Sequence, residues 1–133
     1  MFLIDTNIWL EIILEQEKAE EFKEFLQSVS SSSIFITDFS VYSIGIHLFR
    51  GKIHNAFMDF IRDAFAKVGI RLIRLEPMDM RKILSISLRF NLDFDDAYQY
   101  VASQKYNLTI VSYDRDFDRT EKRRKTPLEL MVE

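Results

Sequence analysis

The sequence predicts an α/β fold, a three-layer α/β/α sandwich around a central parallel sheet of four to five strands. Three observations predict it. Short apolar runs recur at Phe2-Leu3-Ile4, Ile34-Phe35-Ile36 and Leu108-Thr109-Ile110-Val111, the signature of strands buried on both faces. Longer stretches with apolar residues at helical spacing lie between them, and strands alternating with helices specify parallel pairing through right-handed crossovers. The composition agrees: 133 residues, 47% apolar, with twelve Phe, three Gly and two Pro. That is one domain, 1–133, with a substantial core, and it excludes disorder, collagen-like sequence and a loop-rich β-sandwich.

The elements follow in order. After the first strand, Ile8 to Leu14 reads as a short helix, and Ala19, Phe22, Leu26 and Val29 set the stripe of a second, from Glu17 to about Ser30. The serine run Ser30 to Ser33 is a loop before the second strand, Ile34 to Ile36, which closes on Thr37-Asp38. A helix from Phe39 to Phe49 stops at Gly51 in the C-cap position. Another runs from Lys52 to Val68 on Ile53, Phe57, Phe60, Ile61, Ala64 and Val68, and ends at Gly69. Ile70 to Leu75 is the third strand, and Pro77 opens a helix with Met80, Ile83, Leu84 and Leu88 as its stripe. A helix from Asp93 or Phe94 to Tyr106 leads to the fourth strand, ending in Ser112-Tyr113-Asp114. The tail holds a short edge strand and a helical turn near Thr126 to Met131.

The absence of cysteine excludes disulfides, thiolate metal sites and cysteine nucleophiles. No apolar run approaches the ~20 residues of a membrane span, and the start lacks a basic n-region, so no signal peptide is expected. A cytoplasmic protein is the expectation. A net charge of −3 argues against a surface devoted to nucleic acid. The local distribution differs: Arg115, Arg119, Lys122, Arg123, Arg124 and Lys125 lie among Asp116, Asp118 and Glu121. A local basic strip for nucleic-acid phosphates is one reading of this stretch, and a solvated tail is the commoner one.

Three acids share one context. Asp5 follows the first strand, Asp114 follows the fourth, and Asp96 lies in the first turn of the helix before it. Each has an unexceptional role available, as a helix cap, a turn residue or an acid favoured by the helix dipole. In a parallel sheet, however, such strand ends share one edge, where open α/β folds place their sites. Converging carboxylates repel, and a divalent cation relieves that repulsion. Oxygen-only ligands favour Mg²⁺ or Mn²⁺ over zinc.

With those residues in view, "LIDTNIWL", "LDFDDAYQYVASQKYNLTIVSYDRDFD" and the tail "TPLEL" resemble a PIN domain, the fold of VapC-type toxin nucleases. The resemblance implies a Mg²⁺- or Mn²⁺-dependent endoribonuclease, a homodimer, and an antitoxin protein as partner. It places the family's first metal-binding acid on Asp5, the third on Asp96 and the fourth on Asp114, with Asp116 auxiliary. Asp95 is the rival of Asp96, but helix neighbours point about 100° apart.

The family's second acid falls on Ser43, and no Glu occurs between Ile34 and Leu75. Asp38 lies about 140° from Ser43 around a helix, a poor substitute, and His47 reads as a surface histidine. Two other Asp-bearing α/β families fit less well. A haloacid-dehalogenase-like phosphatase needs a second Asp where Asn7 stands. A response-regulator receiver needs a phosphoacceptor Asp where the third strand runs into Glu76-Pro77. The alternative of another class is a PIN-like domain with impaired catalysis that binds RNA or a protein, and Ser43 is its supporting feature.

Overall fold

The structure, a computed structural model, describes residues 1–132. Its sheet is formed by β1 (Phe2–Ile4), β2 (Ile34–Thr37), β3 (Arg71–Ile73) and β4 (Thr109–Val111), in the order β3-β2-β1-β4 with every pairing parallel. Beyond β4, Lys125 adds a single parallel bridge to Val111, the rudiment of the expected edge strand. Seven α-helices cover the sheet among the described residues: α1 (Thr6–Ile13), α2 (Ala19–Ser28), α3 (Asp38–Arg50), α4 (His54–Ile61), α5 (Met80–Phe90), α6 (Phe94–Lys105) and α7 (Pro127–Met131). This is the sandwich that the sequence predicts.

Strand alternation divides the core in two. Leu3, Phe35, Ile73 and Ile110 point to one face, where Ile83, Ile86, Tyr100 and Val101 of α5 and α6 cover them. Ile4, Ile34, Ile36 and Val111 point to the other, against Ile8, Trp9, Phe22, Ile44 and Leu48 of α1, α2 and α3. A two-residue side-chain period produces this division. Trp9 packs edge-on to Phe22 at 5.3 Å, and its indole N–H donates to the Ile4 carbonyl.

Two details depart from the sequence reading, while Gly51 keeps its expected C-cap place. Beyond α4 the chain widens into a π-turn over Arg62–Val68, which closes with the Gly69 and Ile70 N–H groups donating to the Ala64 carbonyl. Gly69 takes a φ of +82°, which a glycine adopts without strain. At the end of α3, Gly51 caps the helix with an ordinary φ of −79°, and the left-handed residue is Lys52. The apolar stripe of α5 is also revised. Ile83 and Ile86 face the core with half-buried Phe90 packed against it, while Leu84 and Leu88 are 61% and 76% exposed. The helix carries two apolar faces, and the sequence alone does not rank them.

Candidate functional site

The β-strand order places β1 beside β4, with β2 and β3 on the far side of β1. The crossovers therefore diverge at the β1/β4 boundary, and a crevice opens at the carboxyl ends of these strands. A cleft of about 200 Å³ occupies this place, with Asp5, Ser43, Asp95, Asp96, Gln99 and Asp114 in its wall.

Three strands lead into caps at or just beyond their carboxyl ends. Asp5 caps α1 and accepts from the Thr6 N–H at 2.8 Å. Thr37 caps α3 through the Ser40 N–H. Asp114 caps the 3₁₀ turn Arg115–Arg119 by accepting from the Asp116 N–H at 2.9 Å. Capping and a place in the cleft thus coincide at Asp5 and Asp114, because the turn that frees a helix N-terminus also exposes the strand end.

Asp5 is 7% exposed and held on both oxygens. Gln99 Nε2 donates to its Oδ1 at 2.9 Å, and Ser112 Oγ donates to its Oδ2 at 2.7 Å. Burial raises the Asp5 pKa, these hydrogen bonds pull it back, and the charge of Asp114 raises it further. Gln99 is itself buried. Its Nε2 also donates to Ser40 Oγ, and its Oε1 accepts from Thr37 Oγ1. Ser112 accepts from the Asp114 N–H, so one hydroxyl links two of the acids.

The carboxylates of Asp96, Asp114 and Asp116 approach within 4.8 Å of one another. Asp96 is 8% exposed, and its pKa is pushed up to about 8. Burial is the leading cause, followed by the charges of Asp114, Asp95 and Asp5. Three carboxylates at this spacing are a donor set suited to a hard, oxygen-preferring divalent cation. Asp5 lies in the same cleft but outside that tight group, while Asp116, read from the sequence as auxiliary, lies within it. Ser43 is half-buried in the cleft wall, and Asp38 is turned to Tyr98, whose hydroxyl donates to it at 2.7 Å. His47 is exposed.

Much of the basic strip is engaged within the molecule. Arg119 donates to Asp116 Oδ1 at 2.8 Å and to the Asn91 carbonyl, which fixes the Asp116 carboxylate. Arg124 is 15% exposed at its side chain, lies 3.4 Å from Asp118 and donates to the Ser112 carbonyl. Arg123 makes a looser 3.9 Å pair with Asp118. Arg115 and Lys122 are exposed. The sequence reading passed over Gln99, Thr37, Ser40 and Ser112. Gln99 had a signal: it is a polar residue within the apolar stretch "AYQYVA", one turn from Asp96.

A family model for the PIN domain matches residues 2–123; the "TPLEL" tail lies beyond it. A search of curated protein sequences gives no match. Among solved structures, the fold is similar to a toxin-antitoxin complex from Klebsiella pneumoniae, at 16% identity and a TM-score of 0.74, covering 96% of this chain and 98% of that one. VapC20 of Mycobacterium tuberculosis, described as a toxin that cleaves the sarcin-ricin loop, gives 15% identity and a TM-score of 0.75, covering 89% and 93%. FitAcB of Neisseria gonorrhoeae gives 20% identity and a TM-score of 0.74, covering 96% and 99%.

Proposed function

This chain belongs to the PIN domain family, and on that premise we propose that it is a Mg²⁺- or Mn²⁺-dependent endoribonuclease that hydrolyses RNA phosphodiesters. The observation that carries the reading is the convergence of Asp96, Asp114 and Asp116 within 4.8 Å at the β1/β4 crevice. Asp96 and Asp114 would hold the cation, with Asp116 kept in range by Arg119. Asp5 faces the same space with its carboxylate fixed by Gln99 and Ser112. A bound divalent cation supplies Lewis acidity at the scissile phosphate and makes water a better nucleophile. The chain's own residues orient the carboxylates and keep Asp5 from turning away.

The test is cleavage of a 5′-labelled single-stranded RNA with Mn²⁺ or Mg²⁺, compared with EDTA and with Asp114→Asn. Metal-dependent cleavage that Asp114→Asn abolishes is the expected result. A second reading, a non-cleaving PIN domain that binds RNA or a protein, has Ser43 in its favour, since a hydroxyl there leaves the cleft one anionic ligand short. Metal binding by calorimetry without cleavage would select it.

An antitoxin partner belongs to this proposal, in line with the toxin-antitoxin complex from Klebsiella pneumoniae among the similar structures. A groove of about 410 Å³ lined by Trp9, Ile12, Leu26, Phe60 and Ile70, together with Glu15, Asp59 and Asp63, offers such a partner a largely apolar seat. A homodimer is also part of the proposal, supported by exposed Leu84 and Leu88 on α5. Light scattering of Leu88→Lys tests it, with a shift to monomer expected.

A further inference from the structure

We propose that Phe94, backed by Phe39 and Tyr98, is a stacking platform for an unpaired nucleobase of the RNA whose phosphate lies at the acidic cleft. The inference rests on the ribonuclease reading and adds a base-binding subsite to it.

Phe94 is 53% exposed and is the first residue of α6, two positions before Asp96. Its ring does not stand alone. Phe39, in the wall of the same cleft, lies 6.0 Å from it, and Tyr98 lies 6.1 Å away. Phe39 and Tyr98 are themselves 5.3 Å apart. Tyr98 is fixed from behind, because its hydroxyl donates to Asp38 and accepts from the Leu75 N–H. An exposed aromatic on such a backing loses little freedom when a flat ligand covers it.

Charge selects the ligand. The cleft wall is lined by the acidic residues Asp5, Asp95, Asp96 and Asp114, and Arg119, Arg123 and Arg124 are engaged by Asp116 and Asp118. Few cations remain nearby to track a phosphate backbone, so the neutral part of the nucleotide must supply much of the contact. Every base has a π-face, and stacking on aromatic side chains is one of the two ways in which single-stranded RNA is held.

The test measures binding of fluorescein-labelled oligouridylate by anisotropy, with Mn²⁺ and the cleavage-disabled Asp114→Asn background. Phe94→Ala, Phe94→Leu and Phe94→Tyr are compared, with circular dichroism confirming each fold. Loss of one base stack predicts binding about ten-fold weaker for Ala and Leu, and near-normal binding for Tyr. An oligomer carrying an abasic sugar at successive positions should lose affinity at one position, and that loss should vanish in Phe94→Ala. Equal binding by Leu and Phe, or an abasic penalty that persists in Phe94→Ala, would overturn the platform. So would absence of oligouridylate binding. Ring-dependent binding without cleavage in the unmodified protein would refute the nuclease reading and leave the platform standing. Cleavage with ring-independent binding would do the reverse.

Discussion

Replacing Asp96 with Asn removes one charge from the acidic cleft while preserving side-chain shape. Asp96 is 8% exposed, and burial, then Asp114, Asp95 and Asp5, raise its pKa from 3.8 to about 8. The unfolded chain releases this proton near pH 4, whereas the folded chain keeps it to about pH 8. Between those limits the folded state binds more protons, so stability falls as pH rises. At ~1.4 kcal/mol per pKa unit the whole span corresponds to ~6 kcal/mol. The cleft mouth is open to water, which screens part of the repulsion, so ~2–3 kcal/mol should be expressed. Asn imitates the protonated acid and can donate to Asp114 as that acid does.

In EDTA, Asp96→Asn should therefore match the wild type near pH 4 and exceed it by ~2–3 kcal/mol at pH 8. Urea unfolding across this range reads the difference. Added Mn²⁺ should reverse the order, because only a protein that retains the ligand gains binding free energy in the folded state. Equal stabilities at pH 8, or a less stable variant, would refute the reasoning and leave Asp96 a helix-start acid with no share in a charged cluster.

Ser43→Glu adds an anionic ligand to the cleft wall and should tighten Mn²⁺ binding in calorimetry, with Ser43→Ala changing it little; unchanged affinity for Glu would show that the position faces elsewhere. Gln99→Leu leaves buried Asp5, Thr37 and Ser40 short of partners, so urea unfolding should show a loss of ~1–3 kcal/mol. Arg115→Ala should weaken RNA binding and flatten its salt dependence without altering stability. Arg124→Ala should instead lower the melting temperature, since its guanidinium is seated against Asp118 and the Ser112 carbonyl.

The fold was legible because its signals are local and repeated. Buried parallel strands must be apolar on both faces, and Ile34-Phe35-Ile36 and Leu108 to Val111 meet that condition. What stayed hidden in the fold was a matter of competition between neighbours. In α5 the residues Ile83 and Ile86 rival Leu84 and Leu88 for the core, and only the placement of α6 and Phe117 decides between the two faces.

The candidate site was legible where its acids stand at a strand end and hidden where their placement depends on what lies behind. Asp5, Asp96 and Asp114 could be named because each stands at an element boundary that the apolar pattern marks. Their relative roles could not be ranked, since these depend on partners far away in sequence. Asp5 is bound by Gln99 and Ser112, 94 and 107 residues away, and lies outside the tight group. Asp116 enters that group because Arg119, one helical turn on, holds its carboxylate in place. The same contact removes Arg119 from the pool of cations open to RNA. An arginine read from sequence as a phosphate contact thus acts on the acid beside it, and Arg119 serves the cleft's geometry.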